Sequence, residues 1–441
     1  MKRIRVWAGA SAVLLLALSG CSKNSDKTVA GGGAGVYSPV ITGISADHEP
    51  AIRGDVNALT VLITNVNNYP ITYHWKTSHG SLAESTTATV HWTAPDTVGN
   101  YPVTVSIESN DGKGTNFFKS TTFQIFVENE YTRWTSSPDV QFDPAPTAAG
   151  GVVFAQNSAA GGAEIYGLPS AGLAPEQITS TFLTAFSPSM IADGSNVVFA
   201  ARKNAADSVM LWLGPSTGCD TTTAGKVTIQ KTSPSHHIAT FPSFSRQSSW
   251  LLYASDSAGS LPRLWSRQIL TPLPSAEPLP DRVVTSPSET YWTPNWGPDI
   301  DHDGKPDSVI CQGILFFHQL GQVSRGLFKF PSSNGTDTGP WLADTSAVEP
   351  DWSPDGSHVV FTRKNLAGDR DIWIINAASS KKNDAIRVTH GAADDSHPRF
   401  SADGTQIFFV SNRVDRYGLN GVYNTERRGT NIWAVSRFDE P

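Results

Sequence analysis

Apolar and polar residues alternate along much of this chain with the two-residue period of β-strands. Between residues 39 and 129 the alternating segments are short, and turns rich in Asn, Gly and Asp separate them. The segments are VITGISA, ALTVLITNV, ITYHWKTS, TATVHWTAP, YPVTVSIES and TTFQIFVEN. Since each segment has one apolar face, the pattern predicts about six or seven antiparallel strands that bury that face, as in a β-sandwich.

From residue 130 to residue 441 the alternation belongs to an internal repeat, whose clearest copies are residues 349–376 and 397–436. Each copy has a proline, an aromatic residue two positions later, a Ser-x-Asp-Gly turn, a strand of β-branched or aromatic residues, and an Ile-Trp pair. Four weaker copies can be aligned on the same landmarks, although the first of them lacks the Asp-Gly turn. The first-strand prolines of the six copies are Pro146, Pro188, Pro242, Pro294, Pro350 and Pro398.

One small sheet of this kind cannot bury its apolar faces alone, whereas sheets stacked around an axis bury them against each other. The repeat therefore predicts a six-bladed β-propeller over residues 130–441. The sixth copy lacks an outer strand, because only a few residues follow Trp433. The segment YTRWTSS, residues 131–137, has the outer-strand pattern, so we expect it to close the ring beside the strand around Trp433.

The composition supports an all-β protein, because 37 Gly and 29 Pro suit a chain rich in turns. The formal net charge is −7 at pH 7 and no basic stripe is present, which argues against a nucleic-acid partner. Cys219 and Cys311 lie in different copies of the repeat, so we expect both to be unpaired. Neither has a neighbouring His or basic cluster that would mark it as a nucleophile.

The N-terminus carries an export signal. Three basic residues precede an apolar run, residues 6–18, that is too short to span a bilayer, and small residues follow it. We therefore expect a signal peptide over residues 1–20. Residues 21–38 are rich in Gly and predict a flexible tether.

The end of that signal, Leu18-Ser19-Gly20-Cys21, resembles the bacterial lipobox. The resemblance implies that Cys21 is lipidated, and Ser22 after it points to the outer membrane. The expected location is therefore the bacterial envelope, on a lipid anchor. The periplasmic and the cell-surface orientation both remain open.

Residues 39–129 resemble bacterial Ig-like and PKD-like modules, with Trp75 expected in the core and Tyr101 in the position of a tyrosine corner. Residues 130–441 resemble the TolB-like six-bladed, WD-type propellers. That resemblance implies a docking platform for proteins or peptides, although related blades also occur in peptidases and sugar lyases. The peptidases carry a separate α/β-hydrolase domain, and nothing in this sequence has the Gly-x-Ser-x-Gly elbow of such a domain on a strand-turn-helix.

The stretch DIDHDGKPD, residues 299–307, is a candidate metal site in the fourth copy. Asp299, Asp301 and Asp303 match positions 1, 3 and 5 of an Asp-x-Asp-x-Asp-Gly calcium loop, and Lys305 offers its backbone carbonyl at position 7. The Glu that closes an EF-hand is missing, and Asp307 instead resembles the closing ligand of FG-GAP-type propeller repeats. We expect structural Ca²⁺ here; the alternative is a solvated acidic turn.

Two functions remain in competition. The first is an envelope-anchored scaffold whose propeller binds a protein, peptide or glycan. The second is a lyase or hydrolase that acts on polysaccharide, because some related propellers use His ligands near the channel mouth. The candidate residues for that role are His236, His237 and His397, which lie just before first-strand prolines.

Overall fold

The computed structural model describes most of the chain after residue 36. The described residues are 37–47, 50–157, 161–220, 222, 224–226, 238–245, 250–256, 262–269, 282–283, 289–303, 305–317, 322–332, 340–365, 368–391, 393–413, 430–436 and 438. Their regular structure is β-strand apart from one 3-10 turn, Lys382–Asp384, which confirms the all-β prediction. None of the described residues forms a helix that is both long and apolar enough to cross a bilayer. The segment predicted to be a signal peptide, the predicted lipidation site Cys21 and most of the predicted tether lie outside the described residues.

The chain divides into two compact units, Met1–Glu130 and Tyr131–Pro441. The strands of the first unit are β1 (Val40–Ala46), β2 (Ala51–Ile52), β3 (Val56–Thr64), β4 (Ile71–Thr77), β5 (Ser81–Ala83), β6 (Thr89–Thr93), β7 (Gly99–Asn110) and β8 (Asn116–Glu128). They form two four-stranded sheets, in the orders β1-β3-β6-β5 and β2-β8-β7-β4. All neighbours are antiparallel except β2 and β8.

Both sheets of the first unit contribute to one apolar core. Trp92 is fully buried there, and Trp75 is buried as the sequence predicts. The Tyr101 hydroxyl donates to the Thr97 carbonyl oxygen at 3.1 Å, which ties the beginning of β7 to the preceding turn. The two sheets therefore share their buried faces, as alternating strands require.

The second unit is a series of small sheets, here called blades 1 to 6. Its strands are β9 (Tyr131–Arg133); β10 (Gln141–Pro146), β11 (Val152–Asn157), β12 (Ala163–Leu168) and β13 (Glu176–Gln177) of blade 1; β14 (Thr184–Met190), β15 (Asn196–Arg202), β16 (Met210–Pro215) and β17 (Gly225–Lys226) of blade 2; β18 (Ala239–Phe244), β19 (Trp250–Ser255), β20 (Arg263–Gln268) and β21 (Arg282–Val283) of blade 3; β22 (Glu289–Trp296), β23 (Ser308–Phe317) and β24 (Gln322–Pro331) of blade 4; β25 (Val348–Trp352), β26 (His358–Lys364), β27 (Arg370–Asn376) and β28 (Ile386–Arg387) of blade 5; and β29 (Asp395–Phe400), β30 (Ile407–Ser411) and β31 (Asn431–Val435) of blade 6.

The blades form a closed ring. The first strand of each blade contacts the first strand of the next, and β29 of blade 6 returns to contact β10 of blade 1. Strand β9 pairs with β31, with Arg133 opposite Trp433, and so supplies the fourth strand of blade 6. In blade 4 the described residues give three strands and a single bridge from Leu327 to Leu342. The second unit is thus a six-bladed β-propeller.

Apolar side chains fill the spaces between neighbouring blades. Between blades 6 and 1, for example, Phe154 packs with Phe408 and Ile432, all fully buried or nearly so. Cys219 and Cys311 are both buried, and neither forms a disulfide within the described part of the chain, as the sequence predicts.

The Ser-x-Asp-Gly turns join the first and second strands. In blade 5 the Ser353 hydroxyl donates to Asp355 Oδ1 at 2.6 Å, and the Gly356 N–H donates to the Ser353 carbonyl at 3.0 Å. The Ser353 hydroxyl, more than any other group, lowers the pKa of Asp355 to about 2. Gly356 has a φ of 74°, which glycine adopts without the strain that a Cβ brings.

Candidate functional site: the propeller channel and the acidic loop

Each first strand of the propeller has a β-bulge at the same place. The residue at the bulge precedes a proline and has a left-handed φ. These residues are Asp143 (φ 51°), Ser187 (49°), Phe241 (52°), Thr293 (44°), Glu349 (56°) and His397 (54°). Such a conformation is rare for residues with a Cβ, so each of these positions is strained. A bulge also changes the direction of its side chain. Because the bulge recurs in every blade, six such residues lie around one axis.

The bulges correct one detail of the sequence alignment. The proline of blade 1 that corresponds to Pro188 is Pro144, not Pro146, because the left-handed residue Asp143 precedes Pro144. The turn that follows is shorter in blade 1, where the Thr147 N–H donates to the Gly151 carbonyl at 2.8 Å without an Asp-Gly pair. Spacing to the second strand alone therefore misplaced the landmark by two residues.

A cavity of about 120 Å³ lies in the middle of the ring. Five of the six pre-proline residues line it, as do residues two positions further on from every blade. That second set is Ala145, Ser189, Ser243, Asn295, Asp351 and Arg399. Because all six blades contribute lining residues, no single copy of the repeat contains the residues of this cavity.

His397 connects three blades at this cavity. Its Nε2 lies 3.2 Å from Asp143 Oδ1 of blade 1 and 3.1 Å from Glu349 Oε1 of blade 5. The backbone N–H of His397 also donates to Glu349 Oε2 at 2.8 Å. Burial alone would raise the pKa of Glu349, but the charge and the N–H of His397 lower it, so this pKa lies below its usual value.

Asp143 is held from its other side as well. The Ser187 hydroxyl donates to Asp143 Oδ2 at 2.7 Å, and the Ser187 N–H donates to the same oxygen at 3.1 Å. The serine hydroxyl is thus bonded to a carboxylate and not to His397. This arrangement differs from a nucleophilic triad, in which the imidazole must accept the serine proton.

Polar side chains two residues beyond the bulges tie neighbouring blades together. The Ser243 hydroxyl donates to Asn295 Oδ1 at 3.1 Å, and Asn295 Nδ2 donates to the Pro350 carbonyl at 2.6 Å. The Phe400 N–H donates to Asp351 Oδ2 at 2.9 Å. The second set of lining residues therefore acts mainly in holding the ring.

Thr293 differs from its neighbours. Only 9% of its surface is exposed, and within the described part of the chain its Oγ1 has no hydrogen-bond partner. Phe241, next to it around the ring, is partly buried and packs on the apolar cluster of blades 3 and 4. Asp143, Asp351 and His397 thus line one side of the cavity, whereas Phe241 and Thr293, whose hydroxyl oxygen is itself buried, lie on the other.

The acidic loop of blade 4 lies between β22 and β23. One carboxylate oxygen each from Asp299, Asp301 and Asp307 lies within 4.8 Å of the others, and these residues are buried, exposed and half-buried in that order. The Asp303 N–H donates to Asp299 Oδ1 and Asp301 Oδ1, both at 3.1 Å, whereas its carboxylate accepts the Lys305 N–H at 2.8 Å. The structure therefore brings together three of the four aspartates.

Three histidines were predicted as possible ligand contacts at the channel mouth. His397 lines the channel cavity, whereas His236 and His237 lie outside the described residues. Sequence reasoning missed Asp143, Glu349 and Thr293. A signal was present, because each directly precedes a proline of the repeat, but nothing in the sequence showed that this position turns inward.

No protein-family model matches the chain. Among solved structures it is similar to TolB from Acinetobacter baumannii, with 14% identity, 81% of this chain and 82% of that chain covered, and a TM-score of 0.43. It is also similar to a putative TolB from Agrobacterium tumefaciens (16% identity, 65% and 91% covered, TM-score 0.42) and to a gluconolactonase from Xanthomonas campestris (8% identity, 71% and 89% covered, TM-score 0.42). Sequence identities and TM-scores this low carry no argument about the fold. The six-bladed propeller is therefore inferred from the strand pairing and the contacts around the ring.

Proposed function

We propose that this protein is an envelope-anchored lipoprotein whose propeller binds a protein, peptide or glycan at its central channel. The observation that carries the proposal is the cavity in the middle of the ring, lined from all six blades and braced by the His397 bridge. Concave sites with a few fixed polar groups are the usual place for ligands. In this proposal Cys21 carries the lipid, and the first unit is an Ig-like or PKD-like spacer.

Capture from envelope extract tests the proposal. Ala192 and Ala402 are exposed residues at the cavity, so a tryptophan at either position should obstruct the channel without disturbing the core. Ala206 is exposed outside the cavity lining and provides the control substitution. We expect wild type and Ala206→Trp to retain a partner that Ala192→Trp and Ala402→Trp lose. Equal capture by all four proteins would contradict a channel site.

A second function, polysaccharide cleavage, is favoured by one observation. His397 faces two carboxylates in a cavity, and such pairs can move protons in catalysis. Incubation of the full chain with envelope polysaccharides should then yield cleaved products, and His397→Gln should abolish them. Metal analysis adds a second readout, because a transition metal bound through the histidines would favour the enzyme over the scaffold.

We also propose that the acidic loop holds structural Ca²⁺. Asp299, Asp301 and Asp307 offer hard oxygen ligands close together, and the calcium-loop pattern adds Asp303 and the Lys305 carbonyl. Without a cation, each close pair of carboxylates costs on the order of a few kcal/mol at an effective dielectric constant near 20. The ion would thus order the loop and leave the channel chemistry to other residues.

Calorimetry with CaCl₂ tests the calcium site. We expect a dissociation constant of roughly 10⁻⁴ to 10⁻³ M, typical of extracellular modules. Asp301→Asn should weaken binding strongly, whereas Asp303→Asn tests whether the fourth aspartate joins the shell. Asp193→Asn, in an exposed turn of blade 2, is the charge-matched control. An absence of calcium heat at millimolar concentration would exclude the site.

A further inference from the structure

One long strand of the first unit has an edge that is left unpaired. On one side, β8 pairs with β7 without a break in register. On its other side, the short strand β2 pairs only with Val127 and Glu128. Among the described residues, no strand pairs with residues 116–125 on this second side. Phe118 in this stretch is 62% exposed, so the edge is open to solvent.

The direction of the backbone hydrogen bonds shows which residues face this edge. The Thr115 carbonyl, just before β8, accepts the Asp111 N–H on the side of β7. The Glu128 carbonyl accepts the Arg53 N–H on the side of β2. Since successive residues of a strand direct their backbone groups to opposite edges, the even-numbered residues of β8 face away from β7. Between residues 117 and 125 they are Phe118, Ser120, Thr122 and Gln124, all of them exposed.

The other long edges of the first unit are protected. Strand β1 has a bulge between Ile41 and Gly43, and β5 has only three residues. Beside β4, the Ser85 carbonyl accepts the outward N–H of Trp75. By contrast, residues 116–126 of β8 contain no proline, no bulge and one charge, that of Lys119. Proteins usually blunt exposed edges with such devices, so a regular edge without them is suited to pairing with another strand.

A strand that pairs with this edge must match the two faces of β8. On the outer face, the hydroxyls of Ser106 and Ser120 lie 2.8 Å apart, and those of Thr104 and Thr122 lie 2.7 Å apart. On the other face, Phe123 packs against the apolar core. The matching strand therefore carries small hydroxyl side chains on one face and apolar side chains on the other. Strand β8 is itself a strand of this kind.

We propose that a second copy of this chain covers the edge, by antiparallel pairing of residues 118–124 of the two copies about Thr121. This register sets Ser120 opposite Thr122 of the second copy, so the rows of hydroxyls continue from one sheet into the other. It also sets Lys119 opposite Phe123 of the second copy, whereas parallel pairing in register would bring two lysines together. Each edge is used once, so the pairing closes as a two-fold dimer.

A dimer of this kind gives the first unit a role beyond that of a spacer. It joins two propellers, so a ligand with repeated units could occupy two channels at once and would be held more tightly than by one. The pairing itself involves only residues of the first unit. It therefore does not depend on the channel-binding proposal.

Analytical ultracentrifugation of the full chain tests the dimer, with Cys21→Ser in every protein to remove the predicted lipidation site. We expect a dimer dissociation constant on the order of 10 μM, since the interface is small. Thr122→Pro removes an N–H that points away from β7, so the fold should be retained. The dissociation constant should rise about tenfold or more, because the two-fold axis repeats the loss. Thr104→Val, which removes the neighbouring hydroxyl but no edge group, should change it by less than about twofold.

Disulfide trapping tests the register and does not depend on the proline variant. Residues opposite each other at a non-hydrogen-bonded position have Cα atoms about 4.5 Å apart, which suits a disulfide. Thr121→Cys should therefore cross-link two copies under mild oxidation, whereas Lys119→Cys should not. Three results would overturn the proposal: a monomer at about 100 μM, an unchanged dissociation constant in a Thr122→Pro protein that melts like wild type, or cross-linking of Lys119→Cys but not of Thr121→Cys.

Discussion

At the scale of single residues, the turn glycines show how strain and packing act together. Gly194 and Gly356 occupy the same turn in blades 2 and 5, with φ values of 73° and 74°. A Cβ at Gly194 would meet open space, whereas one at Gly356 would lie 2.8 Å from Pro298 Cγ of the acidic loop. A side chain at either position would thus have the same unfavourable backbone conformation, but only one at Gly356 would also contact the neighbouring blade.

This pair leads to a prediction for alanine substitutions. Gly194→Ala should lower the free energy of unfolding by about 1 kcal/mol through backbone strain alone. Gly356→Ala should lower it by at least about 2 kcal/mol, because Pro298 must also move. Chemical denaturation of both variants measures the difference. Equal losses would show that the contact with Pro298 has no energetic weight.

His390 adds a pH dependence. Burial first, and then the nearby charges of Arg387 and Arg413, lower its pKa from 6.5 to about 4. The unfolded chain therefore takes up a proton at higher pH than the folded chain does, so stability is lost as the pH falls from 6.5 to 4. The loss attributable to this residue is about 3 kcal/mol.

A comparison of wild type with His390→Gln isolates this effect from the other acids and bases of the propeller. We expect the free energy of unfolding of the variant to fall less steeply between pH 6.5 and pH 4. His74→Gln, at a half-exposed position in the first unit, serves as the control. Parallel profiles for wild type and His390→Gln would contradict the assignment.

The residues that could and could not be predicted differ in a physical way. The calcium-loop pattern singled out aspartates that the fold does bring together, because their spacing is local. The bridge of Asp143, Glu349 and His397 could not be predicted, since 206 and 48 residues separate its members along the chain. Such contacts depend on the closure of the ring.

At the scale of elements, the outer segments use the same threonine cap in three blades. The N–H of the third strand donates to a threonine hydroxyl on the segment beside it, at 2.8 to 2.9 Å. The pairs are Ile165 with Thr179, Ile372 with Thr389, and Ile432 with Thr135. Thr135 directly follows the β9 region, so the first segment of the propeller bonds to β31 in blade 6. In blades 1 and 5 an outer segment makes the same bond to the third strand of its own blade.

Deletion of residues 130–138 tests this closure. The deletion removes β9, the Thr135 cap and Trp134, whose ring lies 4.7 Å from that of Phe408. We expect the melting temperature of the whole propeller to fall by several degrees or more, since a stability loss of 1 kcal/mol shifts it by roughly 2 °C to 4 °C in a domain of this size.

A deletion of equal length within the predicted tether, residues 26–34, is the control and should leave the propeller transition in place. If the shortened propeller melted at the wild-type temperature, β9 would have no role in closing the ring.

The strand pattern was predicted better than the details between strands. Period-2 alternation and repeated turns identify the first three strands of each blade, because each strand buries its own side chains. The bulge at the repeat proline has no such signal, so blade 1 was aligned on Pro146 when Pro144 is the equivalent. Backbone conformation at a pre-proline residue depends on the neighbouring blade as well as on sequence.

At the scale of the whole molecule, the fold class followed from the repeat because six similar sheets have few ways to bury their faces. The chemistry of the channel did not follow, since each blade adds a different side chain at the same bulge. Acid, hydroxyl, aromatic and imidazole groups thus meet on an axis that no linear motif describes. Fold and function are separable here, as they are in other widely used folds.

We propose that this protein binds its ligand in the propeller channel, and photocrosslinking in cells can locate the binding site. A photoreactive phenylalanine would replace Ala192 or Ala402 at the cavity, or Ala206 outside it. If the ligand binds in the channel, we expect both cavity positions to give the same covalent adduct and Ala206 to give none. Adducts at Ala206 alone, or none at either cavity position, would contradict it.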